Sequence, residues 1–128
     1  MARNVSVLNK TKGTLPRVPF SRIKNAILGP RYDLSLVFVE DEEARSLNKR
    51  HRNASYVPNV LSFTLDAESG EIVINPYEAR RQAPSFGRTY RNMIAFLYIH
   101  GLCHLKGMNH GSTMERTEAT FRKQFGIN

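Results

Sequence analysis

The sequence predicts an α+β fold, in which a small mixed sheet has helices packed against it. Residues 93–99 are apolar at every position, which is typical of a helix buried in the middle of a domain. Several short runs are rich in β-branched and aromatic residues, and glycine, proline, asparagine or aspartate follow them. Segments with apolar residues at helical spacing alternate with these runs, so both kinds of element share one small domain.

The first half of the chain predicts two strands and two helices. Residues 5–8 form a short strand candidate, and Phe20 to Leu28 has apolar residues at helical spacing before a Gly-Pro stop. The run from Leu34 to Glu40 is apolar on both faces, which predicts a buried strand. Residues 41–43 are acidic, and acidic residues stabilise the first turn of a helix, so a short helix is predicted to begin there. Residues 50–58 predict a polar, basic loop.

The second half begins with a predicted hairpin. Val60 to Leu65 and Glu71 to Ile74 have strand composition, and residues 66–70 between them suit a hairpin connection. Asn75-Pro76 then provides a capping residue followed by proline at the first helical position, which predicts a helix that ends before Pro84.

Two further helices close the chain. The first is predicted from about Thr89 to Lys106 and contains the apolar run. Ser112 and Glu115 have capping-box spacing, which predicts the start of the last helix. Its core-facing side chains are expected at the helical spacing Met114, Thr117, Phe121 and Phe125. In this helix Glu115 is expected to cap the start, and Glu118 is expected to lie on the surface.

Length and composition limit the class of protein. A chain of 128 residues predicts one domain, residues 1–128. Its net charge of +8 favours anionic partners, nucleic acid first and a membrane surface second. Cys103 is the one cysteine, which excludes an intrachain disulfide and fits a reducing cytosol. The first residues lack a signal-like apolar stretch, and the run 93–99 is too short to span a bilayer.

Three of the four histidines lie in one window of eleven residues, His100 to His110. His100 and His104 are four residues apart and project from one face of a helix. Gly107 is able to end that helix and turn the chain back, because glycine adopts the left-handed conformation easily. His110 then returns beside the other two. Three imidazoles with one open position are typical of a catalytic zinc site rather than a structural one.

The spacing His-x3-His-x2-Gly-x2-His is also that of the metzincin proteases. Those proteases place a glutamate directly after the first histidine as the general base, and here Gly101 occupies that position. A peptidase is therefore disfavoured. Zinc lowers the pKa of a bound water to about 7, so hydroxide can form without that glutamate. The basic segment 49–52 offers charge for a phosphate, and Arg52 could donate two parallel hydrogen bonds to it.

The histidine window, His-Gly-Leu-Cys-His-Leu-Lys-Gly-Met-Asn-His, resembles the signature of the YbeY family of metal-dependent endoribonucleases, H-G-x-L-H-L-x-G-Y-D-H. Four further segments resemble that family: Leu47-Asn48 with Arg52, residues 58–63, residues 70–74, and Met114-Glu115 with Glu118. The resemblance covers about the last two-thirds of the chain.

The resemblance implies a fold in which a small mixed four-stranded sheet is packed with about five helices around a buried central helix, with a zincin-like metal site. It implies that His100, His104 and His110 bind one Zn²⁺ per chain, and that Arg52 is the functionally required arginine that faces RNA. The implied function is single-strand-specific, zinc-dependent endoribonuclease activity in rRNA maturation, near the 3′ end of small-subunit rRNA, and in ribosome quality control. The implied partners are single-stranded rRNA and the small ribosomal subunit in the cytoplasm, without DNA or a membrane.

The chain departs from the family signature at a few positions. Met108 and Asn109 replace the usual Tyr-Asp, which removes an acid beside the last histidine and predicts altered tuning of the metal rather than its loss. His51 stands where an aromatic residue is common, and its expected role is that of a solvated loop histidine. Cys103 is expected to be a small buried hydrophobe.

Three functions therefore compete at this point. The first is a zinc-dependent endoribonuclease. The second is a non-catalytic, metal-stabilised biogenesis factor that binds rRNA or the ribosome without cutting it. The third, a metalloprotease, is disfavoured by Gly101. Whether water or the RNA 2′-hydroxyl attacks the phosphate is left open by the sequence.

Overall fold

The computed structural model describes residues 5–128. In chain order the elements are β1 (Ser6–Asn9), α1 (Phe20–Leu28), β2 (Asp33–Phe38), α2 (Asp41–Arg52), β3 (Val60–Asp66), β4 (Ser69–Ile74), α3 (Pro76–Gln82), a 3₁₀ turn (Ala83–Phe86), α4 (Tyr90–Leu105) and α5 (Ser112–Gln124). Within this range, four strands and five α-helices confirm the predicted α+β class.

The four strands form one mixed sheet in the order β1-β2-β4-β3. Strand β2 pairs in parallel with both β1 and β4, whereas β3 and β4 form the predicted antiparallel hairpin. The interior strands have the most buried side chains; Leu36 on β2 pairs with Ile72 on β4, and both are buried. Strand β3 therefore lies at an edge of the described sheet.

Helix α4 is the buried central helix that the apolar run predicts. The Thr89 hydroxyl accepts a hydrogen bond from the Asn92 amide and caps its start. Ile94 and Ile99 are among its fully buried side chains, and the Tyr98 hydroxyl donates to the Phe20 carbonyl over 2.9 Å. The helix therefore has a fixed position against the sheet and α1.

Glycine lets α4 approach the sheet closely. A Cβ added at Gly101 would lie 3.1 Å from both Ile72 Cδ1 and Ser62 Oγ. A Cβ at Gly70 on β4 would lie 2.9 Å from Leu105 Cδ2, at the end of α4. These distances leave little or no room for a side chain, so the two glycines set how near the histidine-bearing end of α4 lies to β3 and β4.

The predicted basic loop over residues 50–58 is wrong at its start, because α2 continues to Arg52. Asn53 follows in the left-handed conformation, and its amide donates to the Asn48 and Lys49 carbonyls. The basic residues of the last turn favour this ending because they interact well with the negative end of the helix dipole. His51 is therefore an exposed helical residue, and its ring centroid lies 4.7 Å from that of Phe63.

The predicted capping box at the start of α5 is also wrong. Gly111 is the N-cap, Ser112 is already helical, and no side chain caps the helix. The tight return of the chain after His110 requires glycine at the position where a capping side chain would stand. The predicted apolar face is present: Met114 is buried, while Phe121 and Phe125 pack half-buried against the core.

Within residues 5–128, none of the helices has both the length and the apolarity needed to cross a bilayer.

Candidate metal centre

The three histidines of the window lie together at the C-terminal end of α4. His100 and His104 occupy its last two turns, and His110 lies on the segment before α5. Their ring centroids are 4.6 Å apart for His100 and His104, 4.7 Å for His104 and His110, and 5.3 Å for His100 and His110. The structure therefore brings the sequence-predicted trio into one cluster.

The turn that returns His110 to the other two is built around Gly107. Its φ is 98°, and its amide donates to the His104 carbonyl over 2.9 Å. The Met108 amide donates to the Cys103 carbonyl over 3.2 Å, which completes a Schellman ending of the helix. This confirms that Gly107 ends the helix in a left-handed conformation.

The spacing of the ring nitrogens suits a tetrahedral cation. The ligand atoms of the three histidines all lie within 4.8 Å of one another, and His100 Nε2 is 3.2 Å from His104 Nε2. Zinc–nitrogen bonds of about 2.0–2.1 Å in a tetrahedron place two ligand nitrogens about 3.4 Å apart. Three histidines therefore lie close enough to bind one metal ion through ring nitrogens.

Hydrogen bonds at the opposite ring nitrogens orient two of these imidazoles. His104 Nδ1 lies 3.1 Å from the Met108 carbonyl oxygen, which only accepts, so Nδ1 carries the hydrogen and the Nε2 lone pair is free. His100 Nδ1 lies 3.0 Å from Glu118 Oε1, and donation to this carboxylate frees Nε2 in the same way. Two Nε2 lone pairs that face each other at 3.2 Å repel, and a cation between them removes that repulsion.

Glu118 is a site residue that the sequence interpretation missed. The prediction that Glu118 lies on the surface is wrong, because only 6% of it is exposed and it faces His100 from α5. The family motif that contains Met114-Glu115 and Glu118 did indicate that Glu118 has a role. The local spacing, however, did not show which helix the Glu118 side chain faces. At position 108, the backbone carbonyl orients His104, so methionine serves there as well as another residue would.

Electrostatics favour the metal-binding form of His104. Burial, and secondly the neighbouring His100, lower the pKa of His104 below its ordinary value. A lowered pKa keeps the imidazole neutral to a lower pH, and the neutral ring is the form that offers a lone pair. The histidine end of α4 is thus suited to hold a cation near neutral pH.

The cluster opens into a groove of about 600 Å³ between α4 and the α2–β3 side of the molecule. The three histidines line it together with Arg52 and Tyr56; the other lining residues are Pro58, Asn59, Val60, Leu61, Ser62, Phe96 and Leu97. Arg52 is the last residue of α2 and is exposed. The structure therefore places the predicted arginine and the predicted metal ligands around one cavity.

No carboxylate lines the described groove. Gly101 occupies the position at which metzincins have their glutamate. It faces Ile72 and Ser62 at the sheet, and Ser62 Oγ donates to the Gly101 carbonyl over 3.3 Å. The groove thus combines imidazoles with a guanidinium, which suits an anionic, phosphate-containing ligand rather than a peptide bond that needs a carboxylate base.

Comparisons with known proteins find similar sequences and a similar structure. The sequence model of the family described as endoribonuclease YbeY matches residues 12–127. The chain is 36% identical over 99 residues to endoribonuclease YbeY of Bdellovibrio bacteriovorus, and this alignment covers 76% of this chain and 63% of that protein. It is 41% identical over 88 residues to the same-named protein of Helicobacter pylori, which covers 66% of this chain and 63% of that protein.

The chain thus matches less than two-thirds of the length of these two relatives. Among solved structures, a Thermotoga maritima protein determined in solution superposes with a TM-score of 0.67 at 22% identity, over 91% of this chain and 85% of that one. This likeness supports the fold.

Proposed function

The chain belongs to the YbeY endoribonuclease family, and on that premise we propose that it is a single-strand-specific endoribonuclease that depends on zinc. The observation that supports this most directly is the cavity shared by three converging histidines and Arg52. We further propose that the chain acts as one domain in the cytoplasm, on rRNA of the small ribosomal subunit near its 3′ end, in maturation and quality control.

In this proposal His100, His104 and His110 hold one Zn²⁺ through their ring nitrogens. Bound zinc would lower the pKa of a water molecule that it ligates, and it would polarise a phosphate oxygen. Glu118 and the Met108 carbonyl fix the ring orientations from behind.

Arg52 has a separate role in the proposal. Its planar guanidinium matches the geometry of two phosphate oxygens and stays charged at any physiological pH. It binds the scissile phosphate and stabilises the negative charge that grows there during cleavage. Since the arginine lines the same cavity as the histidines, one phosphate can meet both groups.

Three variants test this function: His104→Ala, Arg52→Ala and the control Arg50→Ala. Arg50 is exposed in the same last turn of α2 and lies outside the groove lining. We expect cleavage of a single-stranded rRNA fragment to fall at least about 100-fold in the first two variants and to stay near wild type in the control. Binding of the same fragment, measured separately, should fall less than cleavage does.

The absence of a carboxylate from the described groove lining favours one competing function, a biogenesis factor that binds rRNA without cutting it. If wild type and variants bind RNA alike and none cleaves above a contaminant control, this second function replaces the first. Product ends decide the nucleophile: a 2′,3′-cyclic phosphate shows attack by the RNA 2′-hydroxyl, whereas 3′-hydroxyl and 5′-phosphate ends show attack by water.

A further inference from the structure

We propose that the Tyr56 ring is a stacking surface for an unpaired nucleobase, in the groove that it shares with the Arg52 guanidinium proposed to bind the phosphate. The inference rests on the proposed function and extends it, because it names a residue that selects single-stranded over paired RNA. Tyr56 lies on the segment between α2 and β3, and it lines the same groove as the three histidines.

The Tyr56 side chain is available to a ligand. It is 56% exposed, and within residues 5–128 its ring contacts no other aromatic ring and no guanidinium. Phe86, which is 50% exposed, differs in that its ring lies 5.6 Å from that of Phe96, and Arg88 also sits over Phe96. Of these two exposed aromatic residues, Tyr56 is thus the one whose ring pairs with no other aromatic ring or guanidinium in the described chain.

The backbone beneath this ring is held in place. Asn48 is fully buried, and its Nδ2 donates to the Tyr56 carbonyl over 3.1 Å. The Asn48 carbonyl in turn accepts from the Ala54 amide over 3.4 Å. A ring on an anchored backbone loses little conformational freedom when a base stacks on it, which lowers the cost of binding.

The cavity is large enough for a nucleotide, and its charges suit one. A volume of about 600 Å³ lies in the range of nucleotide-sized ligand sites. Arg52 and Tyr56 line the same groove, so a nucleotide whose phosphate binds the guanidinium can bring its own or the next base to the ring. The exposed Lys49 adds positive charge outside the groove.

Stacking on Tyr56 explains a preference for single-stranded over duplex RNA that does not depend on which base is bound. A base in a duplex already stacks on both neighbours and offers no free face, whereas a base in a single strand does. Every base has such a face, so the contact tolerates sequence changes. We therefore expect Tyr56 to contribute to affinity for single strands of any composition.

The test measures affinity by fluorescence anisotropy for the full chain with zinc, on RNA strands whose 2′-O-methyl groups and phosphorothioate linkages resist cleavage, and a gel confirms that the RNA stays intact. The variants are Tyr56→Ala, Tyr56→Phe and the exposure-matched control Phe86→Ala, which lies outside the groove lining. We expect Tyr56→Ala to weaken single-strand binding about 5- to 150-fold, and Tyr56→Phe and Phe86→Ala to remain within about 2-fold of wild type. Binding to the annealed duplex and to an abasic strand should not change in any variant.

Three results would overturn the inference: Tyr56→Ala binds single strands as wild type does, its loss is equal on the abasic strand, or phenylalanine fails to restore binding. Thermal unfolding of each variant shows that the fold is intact. The proposed enzyme activity is read separately, from cleavage by wild type. A wild type that binds but does not cleave refutes the proposed function and leaves the stacking result valid.

Discussion

The two walls of the groove differ in how firmly the fold holds their side chains. On the α4–α5 wall, His100 contacts the buried Glu118, and His104 contacts the Met108 carbonyl. On the α2–β3 wall, Arg52 and Tyr56 have exposed side chains on a fixed backbone. A metal needs lone pairs aimed at one point, so packing and hydrogen bonds fix its ligands. A flexible strand needs charge and a flat surface, which tolerate small changes of position.

The largest effect expected from this difference concerns a carboxylate placed on each wall. Gly101→Glu should lower the free energy of unfolding by at least about 3 kcal/mol, because a long charged side chain must enter the space between α4, Ile72 and Ser62. Ser55→Glu, at an exposed position next to Tyr56 on the segment between α2 and β3, should change it by no more than about 0.5 kcal/mol. Urea denaturation measures both. Equal stabilities for the two variants would contradict the contrast between a packed and an open wall.

A smaller effect is expected when the hydrogen bond behind His100 is removed. Glu118→Ala should weaken zinc affinity about 10- to 100-fold, because the ring loses the partner that fixes its orientation and hydrogen position. Glu118→Gln keeps an oxygen acceptor and should lose less. Competition with a chromophoric chelator measures the affinity of each purified variant. On the open wall, Arg52→Ala should leave zinc affinity unchanged, and a loss equal to that of Glu118→Ala would show that the two walls do not act separately.

The smallest effect is a difference in chemical reactivity that reports packing beside the metal ligands. Burial raises the pKa of Cys103 to about 11, and the side chain is fully buried although it precedes His104 directly. Its thiol should therefore react with iodoacetamide much more slowly in the native chain than in urea at pH 7.5. Mass spectrometry follows the adduct over time. If the Cys103 thiol reacted at the same rate in the native chain and in urea, the α4–α5 wall would open readily.

Several features of the fold followed from local sequence patterns. The apolar run at 93–99 predicted the central helix, and Asn75-Pro76 predicted the start of α3. Helical spacing and Gly107 predicted that three histidines meet, because a helix followed by a Schellman turn has a nearly fixed geometry. The resemblance in the same window indicated the family that the comparisons then showed.

Other features depended on contacts that local patterns do not encode. The basic composition of residues 49–52 resembles a loop, and only the buried Asn48 and the left-handed Asn53 show where α2 ends. The spacing predicted Ser112 as the N-cap of α5, but Gly111 is the N-cap, because the position of α5 sets the path of the chain after His110.

The sequence by itself determined which residues lie on one helical face and where glycine turns the chain, since these depend on the backbone geometry of neighbouring residues. Only the tertiary structure decided that Glu118 turns inward to His100, and that Tyr56 and Arg52 line one groove with the histidines. Burial and pairing between distant segments are decided by how α4, α5 and the sheet pack, because a side chain's environment comes from the elements around it.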